Sequence, residues 1–278
     1  MSVLIATDLD RTLVYSRAAL ALTRDVLPEL TCVETRDGEQ VGFMTSAAAR
    51  LTAALASRAV LTPVTTRLPE QLARIELPGP PPRYAVAANG GVLLVDGEPD
   101  RAWQRRVAAA VAESTSLSDV MTYVRHHCAP AWTSRVREAG GLFCYIVLGE
   151  AGAPDGFVVE AAGWAADRGW TVSAQGRKVY WVPRGLTKTA AVSEVADRVG
   201  AELVLAAGDS LLDRELLCYA DRGIHPAHGE LFSSGWSAPG VRRTRAAGVL
   251  AGQEIVEWLA DRVDEFSRRS APPAAAIG

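Results

Sequence analysis

The segment Val3-Leu4-Ile5-Ala6-Thr7-Asp8-Leu9-Asp10-Arg11-Thr12 decides the fold of this chain. It begins as a short aliphatic run, which is typical of a strand buried on both faces of a parallel sheet. Two carboxylates, Asp8 and Asp10, follow at the end of that strand. Because open α/β sheets bind ligands beyond the carboxyl ends of their strands, this position predicts a functional site. Burying two acids is costly without a cation, so the pair indicates a metal-assisted site. Taken alone, the segment also fits an ordinary strand-to-turn boundary.

The composition limits the classes of protein that need consideration. A chain of 278 residues is long enough for two unequal domains, and 49% hydrophobic with 22% charged residues is typical of a soluble globular protein. The net charge of −3 offers no basic surface, so we expect neither a nucleic-acid partner nor a membrane partner. Four cysteines without a Cys-x-x-Cys spacing argue against a zinc knuckle or a disulfide framework. With no signal-like or membrane-spanning segment in the sequence, we expect a cytoplasmic protein.

Two later segments repeat the pattern of a buried strand followed by polar residues. The run 59–63 precedes Thr65 and Thr66, whose hydroxyls are suited to hold phosphoryl oxygens, although in isolation the pair fits a strand end and a helix cap better. The run 202–207 precedes Asp209, and a second acid lies about one helical turn beyond it. Both segments therefore add polar groups to the predicted site.

A lysine opens one predicted helix at an unusual place. Thr187 is a candidate helix cap, and Lys188 lies in the first turn, where a cation opposes the helix dipole unless an anion is also present. A solvated surface lysine is the alternative interpretation. Farther upstream, Asn89-Gly90-Gly91 permits positive φ and predicts a tight reversal or a hinge.

The segment between this hinge and Lys188 differs from the rest of the chain. From about residue 100 the pattern changes to amphipathic pieces that predict a compact α+β insert. We predict helices over 102–113 and 155–166, strands over 121–126 and 142–148, and a hairpin over 170–182. Before the insert, we predict a helix over 18–27, a hairpin around Asp37-Gly38 and a helix from Ser46 to about Ser57.

The ordered series Asp8/Asp10, Thr65, Lys188 and Asp209 resembles the four motifs of the haloacid dehalogenase (HAD) superfamily of phosphohydrolases. The insert resembles the α+β cap of the Cof-like and sucrose-phosphatase-like members. The resemblance implies an α/β fold in which a Rossmann-like, doubly wound parallel sheet carries a smaller α+β cap domain. It divides the chain into a core of residues 1–91 and 185–266 and a cap of residues 92–184. We expect residues 267–278 to form a disordered tail.

The resemblance also implies a role for each site residue. Asp8 is the expected nucleophile that becomes an aspartyl-phosphate, and Asp10 the expected acid and base. The expected Mg²⁺ ligands are Asp8, the backbone carbonyl of Asp10, and Asp209. Phosphate is expected at Thr65 and Lys188, with supporting roles for Asp213, Thr66 and Asn89. The sequence departs from the family pattern where Arg11 and Thr66 replace residues that are often glycine.

The implied function is the removal of phosphate from a small phosphorylated metabolite, most plausibly a sugar or polyol phosphate. A phosphomutase of the same fold and a non-catalytic ligand-sensing or scaffold protein are the alternatives. A monomer or a homodimer is expected. The cap residues expected to contact the substrate are Arg125, His126, His127, Arg177, Lys178 and Tyr180.

Overall fold

A computed structural model describes residues 2–22 and 27–270. The strands in chain order are β1 (Val3–Thr7), β2 (Leu30–Arg36), β3 (Glu39–Thr45), β4 (Val60–Pro63), β5 (Tyr84–Ala87), β6 (Val92–Val95), β7 (Glu98–Pro99), β8 (Thr133–Ala139), β9 (Phe143–Leu148), β10 (Trp170–Gln175), β11 (Lys178–Pro183), β12 (Leu203–Ala207), β13 (Arg222–His225) and β14 (Val241–Arg243). The helices are α1 (Ser46–Ala56), α2 (Pro69–Leu72), α3 (Arg101–Val111), α4 (Leu117–His127), α5 (Phe157–Ala166), α6 (Lys188–Val199), α7 (Arg214–Tyr219), α8 (Gly229–Ser233) and α9 (Gly248–Ser270).

A parallel five-stranded sheet forms the centre of the core, in the order β14-β13-β12-β1-β4. β1 is buried along its whole length because it pairs with β12 on one side and with β4 on the other. In this register Thr7 is aligned with both Ala207 and Pro63, so the three strands end at the same edge of the sheet. The segments that follow them therefore meet there, which confirms the α/β fold predicted from the strand-end pattern.

A second, antiparallel sheet in the order β10-β11-β9-β8 forms the cap. Its helices pack on it through buried side chains that include Phe143, Trp170 and Trp181, and these belong to the same hydrophobic cluster as Leu4 and Val64 of the core. This arrangement confirms the predicted smaller α+β unit. Because β6 pairs with β5 and β7 with β6, we propose that the insert begins after Pro99 rather than at residue 92.

Two features of the insert differ from the prediction. Residues 121–126 belong to helix α4, whereas a strand was expected there. Ser116 caps this helix by accepting from the Asp119 backbone nitrogen at 3.2 Å, and Val120 and Val124 lie buried on one face at helical spacing. The local sequence is rich in β-prone side chains, and the helical periodicity overrides that propensity. Strand β8 was not predicted.

The terminal elements also differ in part. The predicted tail is helical as far as Ser270, because α9 continues past residue 266 with a 2.6 Å ion pair between Arg269 and Glu265. Residues 271–278 lie outside the described part of the chain. The helix predicted over 18–27 is replaced at its start by a 3₁₀ turn at Arg17–Ala19, and residues 23–26 again lie outside the described part.

The hairpin predicted around Asp37-Gly38 is confirmed. It joins β2 to β3, with φ values of 54° at Asp37 and 80° at Gly38. Helix α1 follows it, and its cap is Thr45, which accepts from the Ala48 backbone nitrogen at 3.1 Å, rather than the predicted Ser46. Within residues 2–22 and 27–270, we find no helix with the length and apolar character needed to cross a bilayer.

Candidate functional site

Asp8 lies directly beyond the end of β1, at the centre of the edge where the parallel strands end. Its backbone nitrogen donates to Ala207 of β12 at 2.9 Å, which fixes the residue between two neighbouring strands. The Thr12 hydroxyl donates to Asp8 Oδ2 at 3.3 Å, and only 4% of the residue is exposed. The carboxylate therefore has one oriented and largely dry position.

The turn after Asp8 places Arg11 in the left-handed region, with φ of 64°. This backbone conformation favours glycine, which gives a physical reason why glycine is common at this position in the family that the sequence resembles. His228 holds the turn: its Nε2 lies 2.7 Å from the Arg11 carbonyl oxygen, and its Nδ1 accepts from the Gly248 backbone nitrogen at 3.1 Å. With Nδ1 accepting, Nε2 carries the proton and donates, so the imidazole is neutral. Burial lowers the pKa of His228 and favours the same form.

Lys188 is fully buried between two carboxylates. It is the first residue of α6, whose cap Thr187 accepts from the Ala190 backbone nitrogen at 3.1 Å. The Lys188 ammonium donates to Asp8 Oδ1 and to Asp213 Oδ1, both at 2.6 Å. Burial opposes the charge of this lysine, but the two carboxylates outweigh that effect and raise its pKa. The chain thus keeps an ammonium ion inside the molecule, against the expected nucleophile.

A group of three acids next to this lysine fits a divalent cation. Oxygen atoms of Asp8, Asp209 and Asp213 lie within 4.8 Å of one another, and all three residues are buried. Burial raises the pKa of Asp8 to about 7, against the effect of Lys188. Burial and the two neighbouring carboxylates raise the pKa of Asp209 well above its usual range. A hard cation with oxygen ligands would relieve this repulsion, so the donor set suits Mg²⁺.

Asp10 occupies a different electrostatic environment from Asp8. The Arg67 guanidinium binds it with two hydrogen bonds of 2.7 Å, and the same guanidinium binds Glu34 of β2 at 2.7 and 2.9 Å. Desolvation raises the pKa of Asp10, but the hydrogen bonds and charge of Arg67 outweigh it and hold that pKa below its usual range. The pKa of Asp8 is therefore raised and that of Asp10 is lowered, although the two acids are only two residues apart.

The remaining predicted residues surround this centre. Thr65 follows β4 and is fully buried, and its hydroxyl accepts from the Arg67 backbone nitrogen at 3.1 Å. Asn89 joins this loop to the returning chain, because its backbone donates to Thr65 at 2.8 Å and its side chain donates to Leu186 at 2.9 Å. Thr66 lies next to the Tyr180 side chain of the cap, whose pKa is raised by burial in spite of this neighbour. These contacts place both threonines and Asn89 where the core meets the insert.

A cavity of about 340 Å³ lies between these acids and the cap. Its core side includes Asp10 and Asp209, and its cap side is the hairpin of β10 and β11. Three of the six expected substrate contacts line it, namely Arg177, Lys178 and Tyr180. The other three, Arg125, His126 and His127, belong to α4 and are not among its lining residues.

Several residues of the site were not predicted from the sequence. Arg67 had a detectable signal, because a cation directly follows the hydroxyl pair. Ser210 directly follows Asp209, but a serine there carries no specific signal. The others lie far from the motifs along the chain and carry no local signal: Glu34, Gln175, His228 and Glu230.

Comparison with known proteins gives matches among solved structures. No family model and no curated protein matches the chain. The sucrose-phosphatase of Synechocystis, solved with sucrose and phosphate, is similar to it with a TM-score of 0.66 and 17% identity over 95% of this chain and 99% of that one. A trehalose-6-phosphate phosphatase related protein gives a TM-score of 0.53 and 16% identity over 95% and 99% of the two chains. A phosphatase of the haloalkanoate (HAD) enzyme superfamily from Bacteroides thetaiotaomicron gives 0.52 and 14% over 96% of each. At these identities the likeness establishes the fold.

Proposed function

Because the chain has the fold of the HAD-superfamily phosphatases, as its motifs predicted, we propose that it is a Mg²⁺-dependent phosphohydrolase. The observation that carries this proposal is the position of Asp8. Its carboxylate is held by the buried Lys188 and lies beside Asp209 and Asp213, at the edge of the sheet where three strands end. A nucleophile, a cation for the phosphoryl charge and a set of oxygen ligands thus occur together.

In the first step, an Asp8 oxygen attacks phosphorus and the bond from phosphorus to the alcohol oxygen breaks. Asp10 gives its proton to the departing alcohol. Lys188 offsets the repulsion between the Asp8 carboxylate and the phosphate. Asp8, Asp209 and the Asp10 carbonyl would hold Mg²⁺, which would supply further neutralisation of the phosphoryl charge. Thr65 is suited to bind a phosphoryl oxygen.

In the second step, Asp10 takes a proton from water, whose oxygen attacks the phosphorus of the aspartyl-phosphate and releases Asp8. Asp10 needs to change protonation state between the two steps, and Arg67 controls that change by favouring the ionised form. The cap hairpin lines one side of the cavity, and we expect it to limit the access of bulk water when substrate is bound.

The substrate that we propose is a small phosphorylated metabolite, with a sugar or polyol phosphate as the first class to test. Two observations support it: the cavity has room for a small molecule, and the similar Synechocystis protein was solved with sucrose and phosphate. We further propose a cytoplasmic location. A monomer or homodimer remains a prediction.

The test is phosphate release from p-nitrophenyl phosphate and a panel of sugar phosphates, with Mg²⁺ or with EDTA. We expect release that requires Mg²⁺ and is abolished in Asp8→Asn. Asn is isosteric with Asp, so we expect the variant to fold like the wild type. Circular dichroism checks that it does. Release that is unaffected by Asp8→Asn would contradict the proposal. Turnover that depends on an added sugar bisphosphate, without net release of phosphate, would indicate the mutase.

A further inference from the structure

Gln175 of the cap is connected to the buried lysine of the core through a short series of hydrogen bonds. Its side-chain nitrogen donates to Ser210 Oγ at 2.6 Å. The Ser210 hydroxyl donates to Asp213 Oδ2 at 2.8 Å, and the other Asp213 oxygen accepts from Lys188 at 2.6 Å. Lys188 also donates to Asp8 at 2.6 Å. Three hydrogen bonds therefore separate the cap from the lysine that contacts the expected nucleophile.

The direction of these hydrogen bonds is fixed by the groups involved. Asp213 is fully buried and, when ionised, only accepts, so Ser210 must give it the single hydroxyl proton. The Ser210 oxygen is then free to accept, which requires that Gln175 present its amide nitrogen and not its amide oxygen. Ser210 is itself fully buried, so losing the Gln175 donor leaves its oxygen without this partner in the closed protein.

A second contact holds the same cap strand on the core without involving Lys188. Glu230 of α8 accepts from the Ser173 hydroxyl at 2.6 Å and from the Ala174 backbone nitrogen at 3.0 Å. It also accepts from the Leu211 backbone nitrogen at 2.9 Å, next to Ser210. The hairpin is therefore held on the core by Glu230 even without the contact between Gln175 and Ser210, so a substitution can remove one contact and leave the other.

We propose that Gln175 is a positioning residue that couples closure of the cap to the orientation of Lys188. With the hairpin closed, the Gln175 amide directs the Ser210 proton toward Asp213, and Asp213 is held against Lys188. With the hairpin open, the Ser210 hydroxyl is free to turn away, and Asp213 Oδ2 keeps only the Ser210 backbone nitrogen at 3.0 Å. Asp213 then holds the Lys188 ammonium less firmly. The importance of Lys188 rests on the proposed function, whereas its coupling to Gln175 does not.

The chain offers a direct way to observe this coupling. Lys178 and Lys188 are its two lysines, so lysine labelled with ¹³C and ¹⁵N gives two side-chain NMR signals. The variant Lys178→Arg lacks the Lys178 signal, so the signal that remains is that of Lys188. Gln175→Glu is the informative substitution: it keeps a hydrogen bond to Ser210 but reverses it, because the new carboxylate accepts the proton that Asp213 needs. A role of Gln175 in closure alone would tolerate this reversal.

We expect Gln175→Glu and Gln175→Ala to shift the Lys188 signal in the Mg²⁺-loaded protein. In a protein that already carries Ser210→Ala, adding either Gln175 substitution should not shift the Lys188 signal further. Ser173→Ala, which removes the separate contact to Glu230, is the matched control and should leave the Lys188 signal in place. In turnover, Gln175→Glu should lower kcat about tenfold, the effect of roughly 1.4 kcal/mol, with a smaller change in KM.

A Lys188 signal that is identical in the wild type and Gln175→Glu would overturn the coupling. An equal shift with and without Ser210→Ala would also overturn it, because the effect would not pass through Ser210. Failure of the wild type to release phosphate from any substrate would overturn the proposed function instead. The NMR comparison would still decide the coupling in that case.

Discussion

The guanidinium of Arg67 binds the carboxylate of Asp10 through two parallel hydrogen bonds of 2.7 Å, and its remaining donors bind Glu34. This bidentate geometry is the strongest that an arginine and a carboxylate adopt. It keeps Asp10 ionised at a position where the proposed reaction also needs the protonated form. Because Arg67 lowers the pKa of Asp10, we expect it to lower the pH range in which Asp10 gives up its proton.

We predict that Arg67→Met raises the pKa of Asp10, because desolvation of Asp10 is then no longer outweighed by the guanidinium. The limb of the kcat profile that reports Asp10 should move to higher pH. Arg67→Lys keeps the positive charge but cannot make the two parallel hydrogen bonds to Asp10. The corresponding limb of its kcat profile should therefore lie between those of the wild type and Arg67→Met. A limb at the same pH in all three proteins would contradict this assignment.

Asp8 and Asp10, the acids of the first motif, were predictable because the residues next to them in the sequence are enough to place them. An aliphatic run that ends in carboxylates determines both the buried strand and the edge of the sheet where its side chains emerge. The same reasoning located Thr65 and Asp209, whereas Lys188 was identified as a cation in the first turn of a helix, where an anion was then expected. Each contributes to the site through the strand or helix that carries it.

The partners of these residues were not predictable in the same way. Glu34 lies 33 residues before Arg67, on a hairpin with an ordinary sequence, and its contact exists only after the hairpin packs on the core. Gln175 meets Ser210 only when the cap has folded and closed. Helix α4 was mistaken for a strand because Thr122, Tyr123 and Val124 favour strands locally, while packing of its apolar face on the cap sheet decides the outcome.

A second prediction concerns metal binding. We expect Mg²⁺ to raise the melting temperature relative to EDTA, because it binds the folded group of acids and relieves their repulsion. At about 100 times Kd the stabilisation is about 2.7 kcal/mol, or roughly 5–10 °C. Asp209→Asn should reduce this shift and raise the melting temperature in EDTA, since it removes one buried charge. Differential scanning calorimetry measures both effects.

The control for this experiment is Asp155→Asn, which removes an exposed aspartate. It should keep the full response to Mg²⁺. If Asp209→Asn responded to Mg²⁺ as strongly as Asp155→Asn does, the cation would not bind at the three acids.

A third prediction concerns Gly90, in the turn between β5 and β6. Its φ is +97°, and a Cβ built there would overlap the Thr187 carbonyl oxygen, at the cap of the helix that begins with Lys188. Gly90→Ala should therefore cost more than the roughly 1–3 kcal/mol of backbone strain alone, and it should lower kcat by displacing Lys188. Urea unfolding and turnover report the two effects.

Gly97→Ala is the matched control, because Gly97 has a similar φ of +85° and a Cβ there meets nothing within 4 Å. It should show the backbone strain without the loss of turnover. Equal losses of stability and activity in the two variants would mean that the close approach of Gly90 to Thr187 has no consequence of its own.

The last prediction concerns His228, which holds the Arg11 turn as a neutral imidazole. Burial lowers its folded-state pKa below the ordinary value of 6.5, so the unfolded chain takes up a proton on this residue before the folded protein does. The His228 contribution to stability is thus fully present above pH 6.5 and is lost as the pH falls below it. His228→Gln removes this titration, although His225, which is also buried with a lowered pKa, keeps its own. We therefore expect the free energy of unfolding in urea to fall less steeply between about pH 6.5 and 5 in His228→Gln than in the wild type. Equal slopes in the two proteins would show that His228 is not held in its neutral form.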